Sequence, residues 1–161
     1  MEFRAEHYYR AALERMSQAQ YLYREGKGYY ALAMYGAGLA VECILRAYML
    51  KRGQKEFESR HNLLLLFKES GMLKVNTDKL KAKGLSEQRI DEHQKALWAF
   101  VNEVYILWRN DYRFASEDRL LAHLKKMKFY KGVKGDPLKA KAYDLLKAAQ
   151  SFIDKGVLQW H

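Results

Sequence analysis

Glu42 and Arg46 stand four residues apart in a nearly uncharged stretch, so on a helix they share one face. Such a pair can line a polar site, or it can be a partly buried ion pair kept together because a lone buried charge is costly. His61, next to Arg60, is a titratable group near neutral pH. It could bind a phosphate or carry a proton, and it could equally cap or pack a short helix. The largest concentration of charge lies between Arg119 and Lys141. Arg119, Lys125, Lys126, Lys128, Lys131, Lys134, Lys139 and Lys141 face Asp136 as the only carboxylate there. Phe129 and Tyr130 sit among them. Lysines interleaved with aromatics suit a phosphate backbone and stacked bases, or simply a solvated loop and helix face. Cys43 reads as an inert buried thiol.

Other chemistries lack their residues. His7, His61, His93, His123 and His161 form no tight metal-ligand spacing with Cys, Asp or Glu, so no metal is assigned. No Gly-x-x-x-x-Gly-Lys-Ser/Thr or Gly-x-Gly-x-x-Gly loop is present, and Gly36-Ala37-Gly38 falls inside an expected helix without a preceding strand. No serine-histidine-aspartate constellation stands out. No cofactor is expected.

These residues must be positioned by helices. The chain has 161 residues, 49% of them apolar, with one proline and a formal charge of +10 from 29 Lys and Arg against 19 Asp and Glu. That is enough for one domain with its own core over residues 1–161, and the excess charge biases it towards nucleic acid or acidic partners. Scarce Val, Ile and Thr argue against extensive sheet. The first helix should span about Arg4 to Glu25, with Ala5, Tyr8, Ala12, Met16, Ala19 and Tyr23 on one face. The second, about Tyr29 to Arg52, is apolar nearly all round and should be the most buried, with Gly36 and Gly38 admitting close neighbours and Gly53 as its cap. Between Gln54 and Leu85 the pattern breaks up, with a short helix near Arg60 to Phe67 closed by Gly71 and a turn near Thr77 to Lys83. A fourth helix should run from Ser86 to Trp108, with Ile90, Leu97, Val101, Val104, Tyr105 and Trp108 as its stripe. A short helix follows from Glu117 to Met127, and Asp136-Pro137 opens the last, whose buried face is Leu138, Ala142, Leu145, Ala149 and Phe152. The expected fold is all-α, an antiparallel bundle of four to five helices. A charged N-terminus without an apolar signal region and a single cysteine suit the cytoplasm. The longest uncharged run, Gly28 to Val41, is short for a bilayer, and no membrane span is expected.

Three segments in order resemble the HEPN superfamily of higher-eukaryote and prokaryote nucleotide-binding domains. The run from Tyr35 to Ala47 looks like that family's second helix, in which small residues precede an acidic one and a leucine-basic-alanine run. His61-Asn62-Leu63 resembles its His-x-Leu, and Trp108-Arg109-Asn110 falls at the end of the fourth helix, where the family carries its functional motif. The helix order fits from about Arg4 to Gly156. The resemblance implies nucleotide or RNA binding through Arg109, Asn110 and Arg113, together with Lys125, Lys126 and Lys128. Glu42, Arg46, His61, Tyr112 and Phe114 would support that site, with Glu42 close to Arg109. It also implies a homodimer that brings the arginine motifs face to face, and a small nucleotidyltransferase as partner in a two-gene, toxin-antitoxin-like system.

Many members are ribonucleases whose arginine is followed, after four to six intervening residues, by a histidine. Here those positions hold Phe114, Ala115 and Ser116, while Arg89 to His93 and Arg119 to His123 each have only three residues between them. Phenylalanine cannot transfer a proton. The expectation is therefore binding without efficient RNA cleavage. The alternatives are a metal-independent ribonuclease with a displaced base, His61 or His123, and a helical adaptor with no nucleotide role.

Overall fold

A computed structural model describes residues 1–54 and 60–161, without the side chains of residues 75 and 76. The described residues form seven α-helices and one 3-10 helix, with no strand: α1 (Ala5–Glu25), α2 (Tyr30–Lys51), α3 (Leu63–Ser70), α4 (Met72–Ala82), α5 (Glu87–Leu107), the 3-10 helix (Asn110–Phe114), α6 (Glu117–Lys126) and α7 (Pro137–Trp160). The irregular connection expected after α2 includes residues 55–59, which lie outside the described residues. The turn expected near Thr77 is instead the three-turn helix α4, and Gly71, left-handed at φ 66°, separates it from α3.

Ring and hydrogen-bond contacts fix the helix directions. Tyr9, early in α1, stacks on Trp160 at the end of α7, while Tyr23 meets Tyr143 near the start of α7. Those two helices therefore run in opposite senses. Tyr48, late in α2, donates its hydroxyl to the Gly156 carbonyl of α7 at 2.7 Å, so α2 and α7 run the same way. His93, early in α5, meets Gln159 at the end of α7, which sets α5 against both. The long helices thus alternate up and down along the chain, with α2 and α7 in direct contact at the centre.

Helix α2 is the most buried element. Fifteen of its residues are buried, because almost every face meets α1, α3, α7 or the 3-10 helix. It is also the one described helix long and apolar enough to cross a membrane, contrary to the sequence expectation. Glu42 and Arg46 do not prevent that on average hydropathy. What marks α2 as a core helix is that 72% of its most apolar window is covered by the protein itself. Its two glycines face different neighbours. Gly36 lies against Ala19 of α1, and Gly38 lies under the Trp108 indole, where a Cβ would overlap the ring. The Trp108 Nε1 donates to the Tyr35 carbonyl at 3.1 Å, locking the end of α5 onto α2.

Caps fall where short polar side chains allow them. Asn62, Ser86, Ser116 and Asp136 each accept a backbone N–H of their own helix. At α2 the cap comes from elsewhere. The Glu117 carboxylate, in the first turn of α6, accepts from the amides of Gly28, Tyr30 and Ala31 at 3.0, 3.0 and 2.7 Å. A carboxylate there also opposes the positive end of the helix dipole. The α2 C-cap is Arg52 rather than Gly53, which follows it at φ 84°.

Candidate functional site

Trp108 ends α5 in extended backbone, and the chain then winds into the 3-10 helix. Residues three apart are eclipsed in such a helix. Asp111 and Phe114 therefore share one side, and Asn110 and Arg113 another. Tyr112 points inward, is buried, and anchors the turn. Ser116 caps α6, which buries Leu120 and Leu124 and contacts α7 and α2.

Between the 3-10 helix and α6 lies an open cleft of about 480 Å³, lined by Arg109, Asp111, Tyr112, Phe114, Arg119, His123 and Lys126 among others. Three permanent cations face one carboxylate. Arg109 and Asp111 form a bidentate pair, Nε to Oδ1 at 3.1 Å and Nη2 to Oδ2 at 2.9 Å, with each side chain 58% exposed. That hydrogen bond raises the Arg109 pKa and lowers that of Asp111. The His123 ring stands edge-on to Tyr112 at 6.0 Å between centroids. Burial first, and then the positive field of Arg109, lower the His123 pKa and favour its neutral form. Burial pushes the Tyr112 phenol up to about 12, so it stays protonated.

The structure thus divides the residues singled out in the sequence. Arg109, Tyr112, Phe114 and Lys126 line the cleft. Asn110 and Arg113 do not, since the three-residue register turns them to the other side. Arg113 instead lies over the Phe114 ring at 4.6 Å. Lys125 is on the exposed face of α6 and Lys128 follows the helix at φ 59°, both outside the cleft lining. The basic run is not one surface, because Lys141 turns to Asp144 at 3.3 Å and Lys134 and Lys139 border a separate depression beside Tyr23 and Tyr143.

Glu42, Arg46 and His61 form their own cluster. The Glu42 carboxylate, only 4% exposed, accepts from Arg46 Nε at 2.9 Å and from His61 Nδ1 at 2.9 Å. Arg46 also donates to the Arg60 carbonyl at 2.6 Å, joining α2 to the start of α3. Glu42 and Arg109 each take another ion-pair partner: Arg109 pairs with Asp111, two residues away, and Glu42 with the cation one turn along its own helix. Cys43 is buried, which with the Glu42 charge pushes its thiol up to about 11.

Asp111 is a cleft residue that the sequence does not single out, and Arg119 stands out there only as one member of the basic run. Asp111 has no sequence signal beyond its proximity to Arg109. Arg119 and His123 are one turn apart on α6, an i and i+4 pair that must share a face once the helix is known. Among the described residues no group of three or more His, Cys, Asp or Glu side chains could hold a metal ion.

The family model described as the HEPN domain matches residues 5–160. No curated protein and no solved structure matches the chain. A match over nearly the whole chain, on described residues that are helical and without strand, leaves one assignment: the chain belongs to the HEPN domain family.

Proposed function

We propose that the cleft between the 3-10 helix and α6 binds the phosphates of RNA or a nucleotide and does not cleave RNA efficiently. The observation that carries this reading is the convergence of Arg109, Arg119 and Lys126 on one open cleft with Asp111 as its single carboxylate. HEPN domains are usually linked to RNA binding or RNA cleavage, and the cation set supplies the first. Phe114, at the first position where the cleaving members place histidine, cannot supply the proton transfer of the second. General acid-base catalysis is typically worth about 100- to 10,000-fold, so its loss leaves cutting near background.

One observation favours a second reading. His123 lines the same cleft as Arg109, in a setting that keeps its imidazole neutral and able to accept a proton. It is a better displaced base than His61, whose Nδ1 is held on Glu42 outside the cleft lining. The two readings part in one experiment. Labelled single-stranded RNA is incubated with the protein at two salt concentrations, without metal, and binding and cutting are scored separately. The binding reading expects retention that weakens with salt, with the slope falling by about 0.7 when Arg119 or Lys126 is changed to alanine. Cleavage above background that disappears in both Arg109→Ala and His123→Ala would establish the ribonuclease. No retention at low salt would leave the adaptor reading.

The same proposal includes two protein contacts. Homodimerisation would place two clefts on one assembly, and twofold pairing is the commonest closed arrangement. The neighbouring exposed apolar side chains Tyr105 and Ile106 at the end of α5 offer a surface for it. Light scattering showing only a species of 19.0 kDa would dismiss it. A small nucleotidyltransferase is the proposed partner protein, tested by co-purification of the two co-expressed chains.

A further inference from the structure

Phe114 is 78% exposed, more than any other large apolar side chain among the described residues except Met1. Burying a phenylalanine is worth roughly 1.5–3 kcal/mol, and core space lies two residues away, where Tyr112 is buried. The backbone is what holds the ring out. Tyr112 fixes the 3-10 turn from inside, the Ala115 amide donates back to the Tyr112 carbonyl at 3.0 Å, and Ser116 begins α6 by accepting from the Arg119 amide at 3.2 Å. The ring therefore stands on a rigid turn, on the side it shares with Asp111, at the lip of the cleft.

Its two faces are not equivalent. The Arg113 guanidinium lies over one face at 4.6 Å, as a cation over a π-system. With the ring 78% exposed, the other face is open to solvent. An open aromatic face beside a cleft carrying Arg109, Arg119 and Lys126 matches both parts of a nucleotide at once, a flat base and a phosphate. Bases in a duplex are already stacked on each other, so only an unpaired base can use such a ring.

We infer that Phe114 is a base-stacking platform at the mouth of the cleft, and that its ligand is single-stranded nucleic acid. The inference rests on the phosphate-binding reading of the cleft and adds the chemical class of what is bound. Every base has a π-face, so binding is tolerant of sequence. It also gives the residue at the motif position a role of its own: the ring grips where a histidine would cut.

The test uses fluorescence anisotropy with a short labelled single-stranded oligonucleotide and with the same backbone carrying abasic sites. Wild type, Phe114→Ala, Phe114→Leu and Phe114→Tyr are compared at several salt concentrations. Stacking at one base predicts a loss of about tenfold in affinity for both Ala and Leu. Tyr, which keeps the ring, should bind like wild type. The salt slope should be the same in all four, since no cation is removed. Wild type should bind the abasic strand as weakly as Phe114→Ala binds the complete one. If Leu binds as well as wild type, or the abasic strand binds as well as the complete one, stacking is wrong while the phosphate cleft stands. If wild type binds neither strand at low salt, the cleft reading fails and this inference with it. If Phe114→Ala instead turns a dimer into a monomer in light scattering, the ring is a self-association contact and the stacking role is overturned.

Discussion

The protein builds an arginine, a carboxylate and a histidine into two places and uses them in opposite ways. In the first, Glu42, Arg46 and His61 close on one another, with the carboxylate 5% and the guanidinium 12% exposed at the side chain. In the second, Arg109 and Asp111 are each 58% exposed at the side chain and share an open cleft with His123. The carboxylate and guanidinium are a clamp where they are covered, with His61 closing it from a 44% exposed position, and a reception surface where they are not. The difference comes from the backbone beneath. An α-helix places residues 42 and 46 one turn apart on a covered face, and the 3-10 turn after Trp108 pushes Arg109, Asp111 and Phe114 outwards.

The comparison breaks first at Glu42. Glu42→Ala removes the carboxylate from a buried cluster, which should cost about 3 kcal/mol. For a chain of this size that lowers Tm by roughly 6–12 °C. RNA affinity per folded molecule should not change. Arg109→Ala should do the reverse, with stability within about 0.5 kcal/mol of wild type, since exposed pairs contribute little. Equal effects of the two substitutions on binding would mean that the clusters form one site.

A third histidine sharpens the contrast through pH. His93, 5% exposed against Gln159, is held neutral mainly by burial, with its pKa lowered from 6.5 to about 4. Gln159 Nε2 donates to the ring nitrogen, which protonation would block. Because the folded pKa lies below the unfolded one, the unfolded chain binds the extra proton first. Stability should fall as pH drops from about 6.5 towards 4 and then level off. By pH 4.5 the loss from this group is about 2–3 kcal/mol. Urea titrations at pH 7 and 4.5 should show that loss in wild type and a smaller one in His93→Gln.

Gly38→Ala tests whether the core sets the cleft. The added methyl would overlap the Trp108 ring, and overpacking of this kind costs about 1–3 kcal/mol, offset by about 1 kcal/mol of helix propensity. Trp108 adjoins Arg109, so RNA affinity should fall as well. A more stable variant with unchanged binding would show that the indole has room to move. The smallest expected effect is at Asp111. Asp111→Asn frees Arg109 from its bidentate partner and removes the only cleft carboxylate, so phosphate binding should tighten by a few fold, with stability unchanged.

Much of the fold was legible in the sequence because each long helix carries its own pattern. The all-round apolarity of α2, the Asp136-Pro137 start of α7 and the start of α5 at Ser86 all report on local structure. The buried faces were less so. Tyr9 rather than Tyr8 enters the core, since it must stack on Trp160, a partner 151 positions away in the numbering. Tyr105 lies on the expected stripe of α5 but is exposed, because Val104, Leu107 and Trp108 hold the end of the helix against the bundle and leave the position between them on its outer side. The site was half legible. Arg109 and Lys126 were marked by position and charge. Arg109 takes Asp111 rather than Glu42 as its ion-pair partner, and Asn110 and Arg113 turn away, because nothing in the sequence distinguishes a 3-10 register from an α-helical one. That one difference of winding decides which side chains meet the cleft.

The Glu117 cap has a further consequence. The first residue of α6 holds the amides of Gly28, Tyr30 and Ala31, so the cleft wall that carries Arg119, His123 and Lys126 is tied to the beginning of the central helix. Whatever steadies α6 steadies those three hydrogen bonds, and local opening of one requires release of the other. Hydrogen exchange at Tyr30 and Ala31 should therefore slow when single-stranded RNA fills the cleft, although neither residue lines it. A pair of backbone amides at the turn between the first two helices becomes a remote gauge of occupancy, readable by mass spectrometry without a label on either partner.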